Sequence, residues 1–258
     1  ENVFQAGDEV IPYFVGQGGA EGIWYVEPWQ ADRRAAFIAL RDAAHGNALQ
    51  RQFASVVRRS MNNQVMVNGA LEGETPLTTT FPDTHLGRQL QMVARLIHVR
   101  NTLQMQRQIF FVGLGGFDTH DNQLADQAEQ LTELDGALAA FYAATLEMGV
   151  ANGVTTFTAS EFGRTTSING DGTDHGWGSH HLILGGAVNG RRIYGRPPDL
   201  SVGGPDDADW GQIIPTTSVD QYAATIARWY GVSPGDMSTV FPNIGRFATP
   251  DLGFMGAP

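Results

Sequence analysis

The sequence predicts an α/β protein, on three observations. Short apolar runs of strand length alternate with longer stretches of helical periodicity. Acidic residues and histidines stand where those apolar runs end or begin. The 258-residue chain is 42% hydrophobic and 17% charged, an ordinary globular composition with enough length for a real core. Strand, helix, strand, loop and strand in that order predict βαβ units and a mostly parallel central sheet covered by helices.

The elements follow in chain order. Residues 1–30 alternate apolar and polar residues around the Gly-rich string GQGGAEG, which predicts short strands or an extended arm. A helix is expected from Ala31 to about Asn62, broken near Gly46, with Ala35, Ile38, Ala39 and Ala43 before the break and Leu49, Phe53 and Val57 after it. Residues 68–82 read as a loop. Thr84 is placed to cap a helix whose inward stripe is Leu86, Leu90, Val93, Ala94 and Ile97. QIFFVG, from Gln108 to Gly113, has the continuous apolar pattern of a strand buried on both faces. Gly115 and Gly116 then turn the chain. A helix from about Asn122 carries Leu131, Leu134, Leu138 and Phe141 on one face. VTTFT (154–158) and HLILGGAV (181–188) read as strands around a polar loop from Ser160 to Ser179. Ser218 and Gln221 form a capping box for a helix with Val219, Tyr222, Ile226 and Trp229 inward. The organisation expected is a single α/β domain, 1–258, with peripheral elements in 1–82 and the core in 83–258.

Composition also limits function. The net charge of −11 lacks any offsetting basic stripe, which argues against a nucleic-acid partner. No apolar run reaches the roughly 18 residues of a membrane helix. There are no cysteines, so disulfides, thiol nucleophiles and cysteine metal sites are excluded.

Three strings carry candidate chemistry. GGFDTH places Asp118 and His120 directly after an expected strand, where ligands bind in open α/β sheets. TASEFGRT places Glu161 after the next strand, with Arg164 three residues on as a clamp for a small anionic substrate. DHGWGSHH holds Asp174 and three of the seven histidines within eight residues. His175 and His180 are favoured over His181, which opens an apolar strand. Together Asp118, His120, Glu161, Asp174, His175 and His180 are expected to surround a divalent ion, whether zinc, manganese or calcium. Without that ion the carboxylates would crowd like charges at one sheet edge, so Asp118→Asn is expected to raise the metal-free melting temperature. Ser160 and Ser179 lie outside any G-x-S-x-G elbow.

Several long strings resemble the bacterial domain-of-unknown-function family 1501: TTFPDTHLGRQLQMVARLI, RQIFFVGLGGFDTHDNQ, GVTTFTASEFGRT, NGDGTDHGWGSHHLILGGAV and PTTSVDQYAATIARWYGV. The resemblance implies an alkaline phosphatase- and sulfatase-like α/β/α sandwich with metal ligands at strand ends. It implies that Asp118 and His120 serve one metal, that Glu161 or the DHG at 174–176 occupies the place of the superfamily's later acid-and-histidine string, and that His180 is the late histidine. Phe162 stands where that string has a histidine. The family pattern also includes a twin-arginine export signal and a Gly-Gly-x-Asp-Gly string. The chain has neither, so it is expected to correspond to the C-terminal two-thirds of a longer family chain from the periplasm or a secreted fraction. The activity implied is hydrolysis of a phosphate or sulfate ester; the alternative is a non-catalytic binding or structural protein on a degenerate version of the fold.

Overall fold

The computed structural model describes residues 14–256. It is a mixed helix-and-strand chain that divides into two compact units, Glu1–Val112 and Gly113–Pro258. The part of the expected N-terminal strands that falls on 1–13 lies outside the described residues.

In the first unit, β1 (Val15–Gly16) and β2 (Gly19–Ala20) form a tight antiparallel hairpin. It is tied to α2 (Ala48–Glu72) by the Asn68 side chain, which accepts from the Ala20 amide at 2.8 Å and donates to the Ala20 carbonyl at 2.9 Å. The helix break expected at Gly46 is present, between α1 (Ala31–Asp42) and α2, whose Asn47 cap accepts from the Gln50 amide. The second helix runs ten residues beyond the expected end, into the segment read as loop. Its last turns bury Val67, Ala70 and Leu71 against Met92 and Leu96 of α3 (His85–His98), and that packing outweighs the local Gly and Asn content.

Thr84 caps α3 as expected, accepting from the Gly87 amide. All five residues of the anticipated stripe, Leu86, Leu90, Val93, Ala94 and Ile97, are buried. Because α3 shares its core with α2, residues 83–98 belong with the elements before them.

The segment 108–113 departs from expectation. It forms no assigned strand and joins no described ladder. Its side chains alternate: Phe110 and Val112 are half-buried, Phe110 against the α2–α3 core, while Ile109 and Phe111 are 78% and 81% exposed. This is a period-2 pattern with one covered face, in place of a strand covered on both.

The second unit begins with the GGFDTH turn and α4 (Gln123–Glu147), which buries Ala137, Phe141 and Ala144. Leu134 and Leu138 are half-buried, and Leu131 is exposed. A short 3-10 turn at 151–153 leads into β3 (Thr155–Phe157), which pairs antiparallel with β6 (Ile183–Gly185). Between them lies a second antiparallel pair, β4 (Gly163–Asn169) and β5 (Gly172–Gly176). The polar stretch read as a loop is therefore largely a hairpin. Every described ladder is two-stranded and antiparallel, so the parallel βαβ pairing expected from chain order is not found among the described residues.

The capping box at Ser218 and Gln221 opens α5 (Val219–Tyr230) as expected, and Gly231 ends it in a left-handed conformation. Ala224 and Thr225 are its buried positions; Val219, at the solvent end of the first turn, is exposed. A short helix, α6 (Met237–Val240), and a 3-10 turn at 244–246 complete the unit. Among the described residues no helix is long and apolar enough to cross a membrane.

Aromatic rings form the packing centre of this unit. Phe254, 1% exposed, lies 5.8 Å from both Tyr194 and Tyr222, and Phe157 meets Tyr222 edge-on at 6.2 Å. The Tyr222 hydroxyl donates to the Thr158 carbonyl at 3.0 Å, and burial pushes the phenol up from 10.0 to about 12. The folded state therefore favours the neutral phenol. The stability this contributes is present below pH 10 and is lost as pH rises toward 12. Tyr222→Phe is expected to cost about 1 kcal/mol at neutral pH, from the lost hydrogen bond. It is also expected to make the alkaline limb of stability against pH shallower. Urea melts of both proteins from pH 7 to 12 measure this, and an unchanged alkaline limb would contradict it.

Candidate metal centre

The site is built where the GGFDTH turn meets the β4–β5 hairpin. Gly116 adopts φ +93°, and a Cβ there would sit 2.5 Å from the Gln130 amide nitrogen, so the turn that presents Asp118 needs glycine. Residues 119–123 then run against the hairpin: the Thr173 amide donates to the Thr119 carbonyl at 3.3 Å, and the Gln123 amide to the Asp171 carbonyl at 3.2 Å. A side chain at Gly172 would overlap the His120 backbone, at 2.2 Å from its carbonyl carbon. Glycine at 172 is thus what allows the two segments to approach.

The hairpin register places Arg164 opposite His175. Cross-strand partners share a face, so both side chains reach toward Asp118. His175 Nε2 lies 2.8 Å from Asp118 Oδ1, and His120 Nε2 lies 3.0 Å from the same oxygen. The two Nε2 atoms are 3.3 Å apart. Asp118, His120 and His175 thus offer three donors within 4.8 Å of one another, and all three residues are solvent-exposed. Donors on a tetrahedral ion with bonds of about 2.0–2.1 Å stand about 3.3 Å apart. The cluster is close to that spacing before any rearrangement, so the residues fit a small divalent ion. Two imidazole nitrogens and one carboxylate oxygen suit zinc or another transition metal; calcium takes oxygen ligands.

Around these three sits a second set of groups. Arg164 Nη1 donates to Asp118 Oδ1 at 2.8 Å, Nη2 to the Thr119 carbonyl at 2.8 Å and to the Thr173 carbonyl, and Nε to Thr173 Oγ1 at 2.9 Å. Asp174 Oδ1 lies 3.5 Å from His120 Nδ1 and accepts from the Asn169 side-chain Nδ2 at 2.9 Å. Phe162 stacks on the His175 ring, with centroids 4.3 Å apart and planes 25° apart.

Of the six expected ligands, the structure brings Asp118, His120 and His175 together, with Asp174 beside His120. Glu161 and His180 stand outside the cluster. Phe162 and Arg164, two residues apart, both face the site; Glu161 is one residue out of phase with them. His180 lies four residues beyond the end of β5. Arg164, expected to face a substrate, instead has its donors directed at Asp118 and the two flanking chain segments. Ser160 Oγ donates to the Phe162 carbonyl and Ser179 Oγ to the His180 carbonyl, so neither hydroxyl is bonded to an imidazole. The supporting residues Phe162, Asn169 and Thr173 were not anticipated. Gly170–Asp171, a two-residue turn with Gly170 at φ +68°, was the sequence signal for the hairpin, while the irregularity between Arg164 and Ile168 that sets Arg164 opposite His175 has no such signal.

Electrostatics run against the charge crowding expected from sequence. The His175 imidazole, then the Arg164 guanidinium, hold the Asp118 carboxyl below its usual 3.8, with His120 adding a smaller pull. The folded state favours the carboxylate, so Asp118→Asn is expected to lower the metal-free melting temperature, in place of the rise anticipated. A lowered carboxyl value stabilises above the unfolded value and loses that contribution as pH falls through the folded one, so the window lies below about pH 4. Melts in chelator from pH 2 to 7 should show a shallower acid limb for Asp118→Asn than for the parent. Identical limbs would refute the assignment.

Residues 30–235 match a family described as "Protein of unknown function (DUF1501)". No curated protein and no solved structure matches the chain.

Proposed function

The match spans most of the chain, which therefore belongs to the DUF1501 family, and from that premise we propose that it is an exported, metal-dependent hydrolase of phosphate or sulfate esters with an alkaline phosphatase- and sulfatase-like site. The observation that carries the reading is the convergence of Asp118, His120 and His175 on one point at near-coordination spacing. Two neutral imidazoles and one carboxylate leave a fourth tetrahedral position open, the donor count of catalytic sites more than of closed structural ones. A divalent ion held there supplies positive charge for the ester oxygens and acidifies an attacking water. Asp118 lowers the net charge of that centre, and the two imidazoles leave it cationic overall. That local positive charge lets an acidic chain receive an anionic substrate. The absence of cysteine is compatible with an oxidising, extracytoplasmic compartment.

The second reading is a binding or structural protein in which the ion holds the fold without chemistry. The solvent exposure of all three donors favours it. Turnover separates the two. The chain would be assayed with aryl phosphate and aryl sulfate esters in zinc or manganese, alongside His175→Ala. Ester cleavage that needs the metal and is lost in the variant supports the hydrolase. Metal binding with no cleavage of either ester supports the second reading.

A further inference from the structure

Neither Arg164 nor Asp174 is placed as a ligand or a substrate clamp; we infer that both are positioning residues, one for each of two metal ligands, delivered by the two strands of a single hairpin. The inference rests on the metal reading above and deepens it.

Arg164 is the stronger case. A substrate-binding arginine presents its fork to open space, where a planar anion can take two parallel hydrogen bonds. Here both hydrogens of Nη2 and the hydrogen of Nε are directed into the protein, at the Thr119 and Thr173 carbonyls and at Thr173 Oγ1. Only Nη1 reaches the cluster, and it donates to Asp118 Oδ1, the oxygen that both imidazoles face. A carboxylate oxygen has a second lone pair, so this bond persists when the oxygen serves an ion. Arg164 therefore does two things at once. It aims the Asp118 oxygen, and it locks the 118–120 turn to β5 through Thr119 and Thr173. A lysine keeps the charge but has no planar fork to span those acceptors.

Asp174 acts on the other side. His120 directs Nε2 at the cluster and Nδ1 at Asp174 Oδ1, 3.5 Å away. A carboxylate behind a ligating imidazole fixes its tautomer and ring orientation and strengthens it as a donor. Asp174 is itself held by Asn169 from across the turn. The third ligand, His175, has its ring plane set by Phe162. Each donor thus has one dedicated support, and all the supports come from residues 162–174.

The test is a cobalt titration of the whole chain, read by the visible d–d spectrum and by competition with a chelator. Activity is not needed. Wild type is expected to bind one ion with a tetrahedral-type spectrum, and His175→Ala to lose it. Arg164→Gln and Asp174→Asn are each expected to keep one ion per chain with affinity lower by about 10–100-fold and an altered band shape. Arg164→Lys should recover only part of the loss. Melts in chelator check that each variant folds, and Asp174→Asn, which alters only the exposed contacts to His120 and Asn169, remains informative if Arg164→Gln does not fold. Unchanged affinity and spectrum in folded Arg164→Gln or in Asp174→Asn would overturn this inference while leaving the metal site intact. Complete loss of binding in Asp174→Asn, matching His175→Ala, would make Asp174 a ligand and overturn its positioning role. A wild type with no cobalt band would overturn the metal reading itself.

Discussion

Saturating zinc is expected to raise the melting temperature of this protein, and His175→Ala is expected to abolish the rise. An ion that binds only the folded state stabilises it by about 2.7 kcal/mol at a hundredfold excess over its dissociation constant. For a chain of this length that is on the order of 5–10 °C. The effect requires the three donors to be present together, because Asp118 and His120 come from one segment and His175 from another 55 residues away in sequence from His120. Removing His175 leaves two donors from a single turn, a far weaker site. The variant also loses its bonds to Asp118 and its stack on Phe162, so its metal-free melt must be recorded first. The decisive quantity is the difference between zinc and chelator for each protein. An equal zinc shift in parent and variant would remove His175 from the site, and no shift in either would remove the site.

Phe254→Ala is expected to be the most damaging single substitution in the second unit. The ring is 1% exposed and packs against Tyr194 and Tyr222. Its backbone carbonyl also accepts from the Asn189 amide at 2.8 Å, beside the bridge between Val188 and Met255. Truncating a buried phenylalanine costs about 3–5 kcal/mol through lost transfer energy and the cavity left behind. That corresponds to a fall in melting temperature of roughly 10 °C. Phe254→Leu, which refills part of the volume, should fall by less than half as much. A fall of only a degree or two for the alanine variant would mean that the aromatic cluster is not the packing centre described above.

What was legible in the sequence follows from where the information is local. The caps at Thr84 and Ser218 were readable because a side-chain oxygen three residues or fewer from the amide that donates to it decides them. The α3 stripe was readable because its period matches the helix and all five of its positions are buried. Strand identity was harder. QIFFVG reads as doubly buried from composition, yet which faces are covered depends on partners that lie elsewhere in the chain. The hairpin at 163–176 was missed because its residues are polar and glycine-rich. Its cohesion comes from buried threonines, Thr165 and Thr173, and from Arg164, which no apolar periodicity reveals. For the site, residue type found Asp118, His120 and His175. The hairpin register separated His175 from His180 and Glu161. Register is a tertiary property: the Gly170–Asp171 turn signals the hairpin, but the irregularity between Arg164 and Ile168 that brings Arg164 opposite His175 is not signalled locally.

The meeting of Asp118 with His175 has a further consequence, for folding. The two residues are 57 positions apart, and the segment between them includes all of α4 and both β3 and β4. An ion shared by them is a reversible cross-link that closes this loop, in a chain that has no cysteine to do so. Unlike a disulfide, which persists in the unfolded chain, such an ion would hold the ends of the loop together only in the folded state and would leave as the donors separate. A bound ion would therefore slow opening of the 118–175 loop more than it would speed its formation, since the hairpin must pair before the donors meet. Metal should then appear chiefly in the unfolding rate, as a staple that chelation withdraws and the cell's metal supply restores.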